Sequence, residues 1–292
     1  MSAQRLNKRL NKALSHGHDQ GRLGLIAGGG GLPVEIARSR QREGRPVFVI
    51  RLKGLADPAM RQFEGEDAGV VELGRCIKAL RRAGCDRVCF AGVVRRPDFA
   101  ALKPDLLALR YLPGVAAAAK DGDDALLRAI LAVFEKEGFL VESVGAAGEA
   151  LTIGQGPLGR IDAGPDHAGD IHLAMAAARE VGATDVGQGA VARDGAVVAR
   201  EDDQGTDAML ELCASLNAAP DQRRGVLAKI PKPRQDRRVD LPTIGVATLE
   251  RLAAAGLAGV VGESGALLVV DPEAVREAAD RLGLFVTGLP SP

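Results

Sequence analysis

The segment from residue 229 to residue 245 carries the side chains best suited to phosphate chemistry. It reads Lys-Ile-Pro-Lys-Pro-Arg-Gln-Asp-Arg-Arg-Val-Asp-Leu-Pro-Thr-Ile-Gly. Its three prolines fix φ and remove N–H donors, so we expect a stiff loop rather than a core strand. Cationic side chains beside carboxylates are suited to binding a polyanion, whose negative charge would be neutralised partly by the protein cations and partly by a metal ion. The structural alternative is a solvated connector whose charges neutralise one another.

The two carboxylates of this segment are the central candidates. Hydrolysis of a diphosphate requires neutralised charge on the phosphoryl oxygens and a positioned water, and Mg²⁺ held by carboxylates supplies both. Asp236 and Asp240 are four residues apart, a spacing that permits convergence without requiring it. We predict both as catalytic residues and metal ligands, with Asp240 the more important because the apolar residues after it should anchor it to the fold.

The cations of the same segment are predicted to contact phosphate. Lys229 and Lys232 would act as point charges, and Arg237 or Arg238 are the alternatives. Upstream, Thr206 and Asp207 open a predicted helix, and Thr206 is a natural N-cap. Capping could explain both residues, but Asp207 becomes a candidate metal or water ligand if this helix end faces the charged segment.

A glycine run near the beginning of the chain is a second candidate. Gly28, Gly29, Gly30 and Gly31 follow a short apolar strand pattern and precede a helical pattern, a position where backbone N–H groups bind phosphate. The dinucleotide fingerprint is incomplete because Pro33 stands at its third glycine. We therefore predict a nucleotide or phosphate turn without NAD, with a purely structural tight turn as the alternative.

Two further segments contribute candidate ligand-site residues. Arg95 and Arg96 follow a predicted strand, at the end where open α/β sheets bind ligands. The run Lys120-Asp-Gly-Asp-Asp124 stands at the start of a predicted helix, where acids also complement the helix dipole without any ligand.

Composition excludes several classes of protein. The net charge of zero gives no basic field for nucleic acid, and no apolar run reaches the length of a membrane span. The four cysteines form no CxxC pair and are expected to be buried, reduced thiols rather than zinc ligands. Residues 1–22 hold five basic side chains and one acid without the apolar stretch of a signal peptide, and we expect a disordered extension or tag there.

Strand and helix patterns alternate along the chain and predict an α/β fold. We expect a Rossmann-like parallel-sheet domain over residues 23–155 and a second α/β domain over 156–292, joined by a linker within 151–166. The predicted strands are 23–27, 46–52, 87–91, 139–144, 225–230, a pair around the Arg193-Asp-Gly195 turn and a pair around Glu263-Ser-Gly265. The predicted helices are 34–43, 74–83, 123–137, 170–181, 206–216, 246–255 and 272–282.

Four segments in this order resemble a known family, the UDP-2,3-diacylglucosamine pyrophosphatases of the LpxI type, from the lipid A pathway of Gram-negative bacteria. They are residues 23–33, residues 120–128, Gly205-Thr-Asp-Ala-Met209 and the run from Gln235 to Gly245, which is the most specific. The resemblance covers about residues 22 to 290. The family's usual acid before the glycine of the third segment is replaced here by Gln204, so no metal role is assigned to that position.

The resemblance implies a hydrolase that depends on Mg²⁺ or another divalent cation and cleaves UDP-2,3-diacylglucosamine between two domains, in the cytoplasm and with at most peripheral membrane contact. A homodimer is left open. The matching positions imply a substrate site built from Gly28, Gly29, Gly30, Gly31, Leu32, Arg95, Arg96, Lys120, Asp121, Asp124, Thr206, Lys229, Lys232, Gln235 and Thr243. A non-catalytic carrier of nucleotide sugar or lipid is the alternative from another class. A third reading, an NAD-dependent oxidoreductase, is disfavoured by Pro33.

Overall fold

The computed structural model describes residues 21–94, 104–148, 151–216, 223–233 and 235–291, apart from the side chain at position 123. The predicted extension lies outside these residues except for its last two, of which Arg22 already begins a strand. The chain divides into two compact units, Met1–Glu142 and Ser143–Pro292. This division precedes the predicted linker, and Ile153 within that linker is buried in the core of the second unit.

The first unit contains a five-stranded sheet and four helices in its described residues. The strands are β1 (Arg22–Ala27), β2 (Val47–Leu52), β3 (Gly65–Ala68), β4 (Cys85–Ala91) and β5 (Leu140–Val141), and the helices are α1 (Leu32–Arg42), α2 (Leu73–Arg82), α3 (Leu106–Ala118) and α4 (Asp123–Lys136). The sheet order is β3-β2-β1-β4-β5 and every pairing is parallel. The predicted Rossmann-like parallel sheet is confirmed.

The central strand of this sheet explains why its pattern reads as a continuous apolar run. Leu25 on β1 is fully buried and pairs with Val49 on one side and Cys89 on the other. A parallel strand that is buried on both faces is expected to be a continuous apolar run, and residues 23–27 of β1 are all buried and uncharged. Its carboxyl end lies beside that of β4, at the point where the strand order reverses, which is where such sheets leave a crevice.

The second unit is built on a mixed sheet. Its strands are β6 (Gly156–Pro157), β7 (Gly189–Arg193), β8 (Ala196–Arg200), β9 (Val226–Lys229), β10 (Thr243–Ile244), β11 (Gly259–Glu263), β12 (Leu268–Val269) and β13 (Phe285–Leu289), and its helices are α5 (Val144–Ala147), α6 (Ala168–Ala183), α7 (Gly205–Ser215), α8 (Val246–Ala254) and α9 (Pro272–Leu282). Six strands follow the order β6-β13-β11-β9-β7-β8, and β10 pairs separately with β12. Strands β9, β11 and β13 are parallel, whereas β6, β7 and β8 run antiparallel to their neighbours.

Helices cover both faces of this sheet. Leu227 on β9 belongs to the core cluster that includes residues of α7, α8 and α9, while its neighbour Ala228 packs in the cluster formed with α6. Alanines such as Ala174 and Ala178 supply the buried face of α6, so that helix can approach the strands closely. The second α/β domain is therefore confirmed as a helix–sheet–helix arrangement.

Some elements were not predicted. Helix α3 has no clear signal because Pro113 and Gly114 lie inside it, and both residues disfavour a helix interior. The predicted strand 139–144 is shorter than expected, since only Leu140 and Val141 pair and a short helix begins at Val144. Within the described residues, no helix is both long enough and apolar enough to cross a membrane.

Candidate active site at the carboxyl edge of the second sheet

The second sheet gathers several strand ends at one edge. Gly189, the first residue of β7, pairs with Lys229, the last residue of β9. Because β8 runs antiparallel to β7, its last residue, Arg200, lies at the same edge, and Glu201 follows it directly. Carboxyl ends of parallel strands are the usual ligand-binding side of an α/β sheet. This edge is therefore the first place to look for chemistry.

Lys229 is a buried lysine at this edge. The residue is 5% exposed to solvent. Its Nζ donates hydrogen bonds to Thr206 Oγ1 at 2.8 Å and to the Thr243 carbonyl oxygen at 3.2 Å. The structure thus brings together three predicted site residues from β9, the start of α7 and β10. Helix α7 begins at Gly205 with Gln204 at its N-cap position and no side-chain cap, so the predicted N-cap role of Thr206 is wrong.

Glu201 completes this group and is the residue that sequence reasoning missed. It is 8% exposed, and its two oxygens accept different hydrogen bonds: Oε1 from the Thr206 hydroxyl at 2.8 Å and Oε2 from the Gln188 backbone N–H at 3.1 Å. The signal that could have identified Glu201 is its position immediately after a predicted strand. We call Glu201, Thr206 and Lys229, with the Thr243 carbonyl, the lysine cluster.

Burial and nearby charges have opposite effects on the pKa of Lys229. Burial lowers the pKa of Lys229, because removing an ammonium group from water disfavours its charged form. The negative charges of Glu201, Asp207 and Asp240 act in the opposite sense and partly restore the proton affinity. Two of the acids predicted from sequence are therefore close enough to affect Lys229, but the net direction is downward.

The predicted catalytic pair divides into two different environments. Asp236 is held by Arg238, whose Nε lies 2.9 Å from Oδ1 and whose second guanidinium nitrogen lies 2.7 Å from Oδ2. The backbone N–H of Asp240 donates to the Asp236 carbonyl at 3.1 Å, which makes the segment turn. Among the described residues, the Asp240 carboxylate makes no hydrogen bond or ion pair, so it is the acid of this pair that is available to a ligand.

The predicted metal ligands are not gathered into a preformed cage. Asp207 is largely exposed and pairs with Arg251 at 3.2 Å, while Asp236 is engaged by Arg238. The described part of the chain contains no group of three or more His, Cys, Asp or Glu side chains placed to hold a metal ion. The side chains that are present fit at most a partial set of ligands to Mg²⁺, which usually completes its shell with water and substrate phosphates.

Other side chains of the charged segment stabilise its path. Lys232 Nζ lies 2.9 Å from the Asp185 carboxylate, and its backbone N–H donates to Gln235 Oε1 at 3.0 Å. Gln235 is buried, and its Nε2 has no hydrogen-bond partner among the described residues. Arg237 approaches the buried Glu263, at the end of β11, to 3.8 Å. Lys232 is therefore occupied by a carboxylate here, whereas Lys229 is held by neutral oxygens.

Comparisons with known proteins match both halves of the chain. The family model described as the LpxI N-terminal domain matches residues 22–150, and that described as the LpxI C-terminal domain matches residues 154–287. A protein of Caulobacter vibrioides named UDP-2,3-diacylglucosamine pyrophosphatase LpxI is 54% identical over 272 residues, which cover 92% of this chain and 97% of that protein.

This chain belongs to the LpxI family. A solved structure of CobK precorrin-6A reductase aligns with 94% of this chain and 89% of its own at 14% identity, with a TM-score of 0.31. That similarity is too weak to support any statement about this LpxI family member.

The glycine turn of this LpxI family member has a structural explanation for half of its residues. The N–H of Gly28 donates to the Ala91 carbonyl at 2.8 Å, and that of Gly29 donates to the Val93 carbonyl at 2.9 Å. A Cβ atom on Gly28 would lie 2.8 Å from the Val93 carbonyl oxygen, so a side chain does not fit. These two N–H groups are hydrogen-bonded within the protein, and the predicted substrate role of Gly28 and Gly29 stays a prediction.

The remainder of the turn leads into α1. Gly30 has a φ of +84°, in the region that favours glycine, and both Gly30 and Gly31 are exposed. Leu32 is the first residue of the helix. The predicted phosphate role of these three positions stays a prediction.

The last predicted residues lie elsewhere in the first unit. Lys120 and Asp121 are exposed in the short turn between α3 and α4, and Asp124 is in the first turn of α4. Their substrate role is still a prediction. Arg95 and Arg96 lie outside the described residues.

Proposed function

We propose that this LpxI family member hydrolyses the diphosphate of UDP-2,3-diacylglucosamine and releases UMP and 2,3-diacylglucosamine 1-phosphate, a step of lipid A biosynthesis. The observation that carries this proposal is the 54% identity, over 92% of the chain, to a protein that bears this activity in its name. The matches to the N-terminal and C-terminal family domains support it, because together they span residues 22–150 and 154–287.

The reaction adds one water molecule across the P–O–P anhydride. One phosphorus gains the water oxygen, the bridging oxygen stays with the other phosphate, and negative charge grows on the oxygens during the transfer. A positive group fixed in a water-poor site stabilises such charge more strongly than the same group in water. The lysine cluster provides this kind of group at the edge where ligands of an α/β sheet bind.

Lys229 is the residue to which we assign the contact with phosphate. An ammonium group has three N–H donors, and two of them point to Thr206 Oγ1 and the Thr243 carbonyl. The third is assigned to a phosphoryl oxygen. Since both protein acceptors are held in the fold, the ammonium position is fixed before the substrate arrives, and less reorganisation is needed during the reaction.

Asp240 is assigned to the reacting water. Its carboxylate is one of the negative charges that partly offset the lowering of the Lys229 pKa by burial, and it is not engaged by an arginine in the way that Asp236 is. Mg²⁺ is part of the proposal through the family resemblance, and it would neutralise phosphate charge when bound. Because the described residues offer only a partial set of ligands, no step is assigned to the metal.

The proposed substrate also sets the proposed surroundings. A nucleotide sugar with two acyl chains would be met in the cytoplasm, with at most peripheral contact between the protein and the membrane. A homodimer is compatible with the proposal but is not required by it.

The direct test is product formation by the full chain. UDP-2,3-diacylglucosamine in mixed micelles is incubated with the protein and Mg²⁺ in water enriched in ¹⁸O, and both products are separated and weighed by mass spectrometry. The proposal predicts UMP and lipid monophosphate in equal amounts, with one ¹⁸O in one of the two products. Binding of the substrate without release of UMP would instead indicate a carrier and would overturn the hydrolase proposal.

A further inference from the structure

Glu201 is the member of the lysine cluster to which the reaction proposed above gives no part. We propose that Glu201 is a positioning residue for this hydrolysis: it orients the Thr206 hydroxyl, and through that hydroxyl it fixes the Lys229 ammonium at the edge of the sheet. This inference rests on the proposed function. It assigns a role to a residue that the sequence patterns did not single out.

The direction of the hydrogen bonds carries the inference. A threonine hydroxyl has one proton to donate, and an ionised carboxylate can only accept. Glu201 Oε1, 2.8 Å from Thr206 Oγ1, therefore accepts the hydrogen bond that the Thr206 hydroxyl donates. The lone pairs of Thr206 Oγ1 then accept a hydrogen bond from Lys229 Nζ, also at 2.8 Å. Without this carboxylate the hydroxyl could rotate, and the ammonium would lose an acceptor of fixed direction.

The second carboxylate oxygen explains why a glutamate is needed. Glu201 Oε2 accepts the backbone N–H of Gln188 at 3.1 Å, so the two oxygens anchor two different partners. A glutamine at position 201 would present one oxygen and one NH₂ group, and one of the two partners would meet a donor instead of an acceptor. The change Glu201→Gln keeps the size of the side chain and breaks this arrangement.

The surroundings leave Glu201 little freedom to move. A Cβ atom added to Gly189 would lie 2.9 Å from Glu201 Oε2, and one added to Gly187 would lie 2.6 Å from the Glu201 carbonyl oxygen. Two glycines thus leave the space that Glu201 fills. A buried carboxylate is costly unless it is well hydrogen-bonded, and here the hydrogen bonds of the two carboxylate oxygens hold the Thr206 hydroxyl and the Gln188 backbone in place.

The first experiment separates turnover from binding. In the full chain, Glu201→Gln is expected to lower kcat for UMP release by about tenfold to hundredfold while KM changes by less than about threefold, because a misplaced charge affects the transition state more than substrate binding. Glu180→Gln is the matched control, since Glu180 is an exposed carboxylate paired with Arg200 on the neighbouring surface. This control is expected to keep the wild-type rate.

The second experiment tests the path through the hydroxyl. Thr206→Ser keeps the hydroxyl and is expected to stay within about threefold of the wild-type kcat, whereas Thr206→Val removes it and is expected to lose as much as Glu201→Gln. If Glu201 acts through Thr206, the double variant Glu201→Gln, Thr206→Val is no slower than either single variant. Should Glu201→Gln fail to fold, Gly189→Ala displaces the carboxylate instead and is expected to lower kcat.

The outcomes distinguish the inference from the proposed function. Absence of UMP release by the wild-type chain would refute the proposed function. If the wild-type chain releases UMP and folded Glu201→Gln has the same kcat, the positioning role is refuted and the proposed function stands. Losses that multiply in the double variant would also overturn it, since they would show that Glu201 and Thr206 act independently.

Discussion

The Lys229 ammonium and the Thr206 hydroxyl are 2.8 Å apart, although 23 positions separate the two residues in the chain. This hydrogen bond joins the carboxyl end of β9 to the first turn of α7. The Thr206 hydroxyl also donates a hydrogen bond to Glu201, and Lys229 Nζ also donates one to the Thr243 carbonyl. A lysine fixed in this way supplies a cation whose position is set by the fold.

The two acids of the charged segment should separate by their effect on stability. Asp240→Ala is expected to change the free energy of unfolding by less than about 0.5 kcal/mol, because the carboxylate has no hydrogen-bond partner in the described residues. Asp236→Ala is expected to cost about 1 kcal/mol, since it removes the hydrogen bonds that the Asp236 carboxylate accepts from the backbone and guanidinium of Arg238. Urea unfolding followed by circular dichroism measures both values.

Activity should not follow the same order. Asp240→Ala is expected to lower turnover by about a hundredfold while the substrate still binds, and Asp236→Ala is expected to lose activity as well. Near-normal turnover in folded Asp240→Ala would contradict the assignment of this acid to the reacting water, and loss in Asp236→Ala alone would move the role to Asp236.

Lys229 should give the folded state a pH dependence of known sign. Its pKa is lowered from the ordinary value of 10.5 by burial, so between the folded and unfolded pKa values the unfolded chain binds a proton that the folded chain does not. The penalty is complete below the folded pKa and is relieved as pH rises towards 10.5. The stability of Lys229→Met relative to wild type should therefore fall as pH rises above the folded pKa of Lys229 towards 10.5.

Urea unfolding of both proteins at each pH measures this contribution, because the titrating groups that do not interact with Lys229 are shared and cancel in the difference. A stability difference that stays constant with pH would show that Lys229 has the same pKa in the folded and unfolded chain. A difference that grows with pH would show that its pKa is raised.

The partial set of metal ligands predicts that Mg²⁺ and phosphate bind together. The described residues contain no complete acidic cluster, so the free protein should bind Mg²⁺ weakly, and UDP should tighten that binding by about tenfold or more. Isothermal titration with Mg²⁺, with and without UDP, measures the coupling. Tight binding to the free chain that UDP does not change would contradict this expectation.

The four cysteines should be inert in the folded protein. All are buried and free, and burial raises the pKa of Cys76 to about 12 and that of Cys85 to about 11. Burial also raises the pKa of Cys89 and Cys213. Because the thiolate is the reactive form, a thiol reagent at about pH 8 should label the native chain slowly and the denatured chain at all four sites. Fast labelling of the native chain would contradict the burial of these thiols.

The fold was predictable wherever a periodic pattern was strong. The apolar run of β1 and the Pro272 start of α9 led directly to the observed elements, because burial on both faces and a cap leave clear signals. Helix α3 had none, since Pro113 stands inside it and its periodicity is weak. Strand β13 was also missed, although Phe285 and Val286 are buried, because it follows directly after a predicted helix.

The site was predictable as a set of residue types but not as a set of contacts. Lys229, Thr206 and Thr243 were all named from sequence, and the structure joins them by hydrogen bonds. Sequence could not show that Glu201 would turn inward after β8, since a charged residue after a strand is usually solvated. It also could not show that Asp236 would be occupied by its neighbour Arg238, because pairing depends on the local turn.

The most direct test of the lysine cluster as the reaction site is the rate of UMP release by Lys229→Met. Methionine keeps much of the buried volume and removes the charge, so folding should survive while stabilisation of the phosphoryl charge is lost. We predict a fall in kcat of about a hundredfold or more. The control is Lys53→Met, which removes a half-exposed lysine paired with Glu72 in the first unit and should keep the wild-type rate. A folded Lys229→Met protein that releases UMP as fast as wild type would contradict the account.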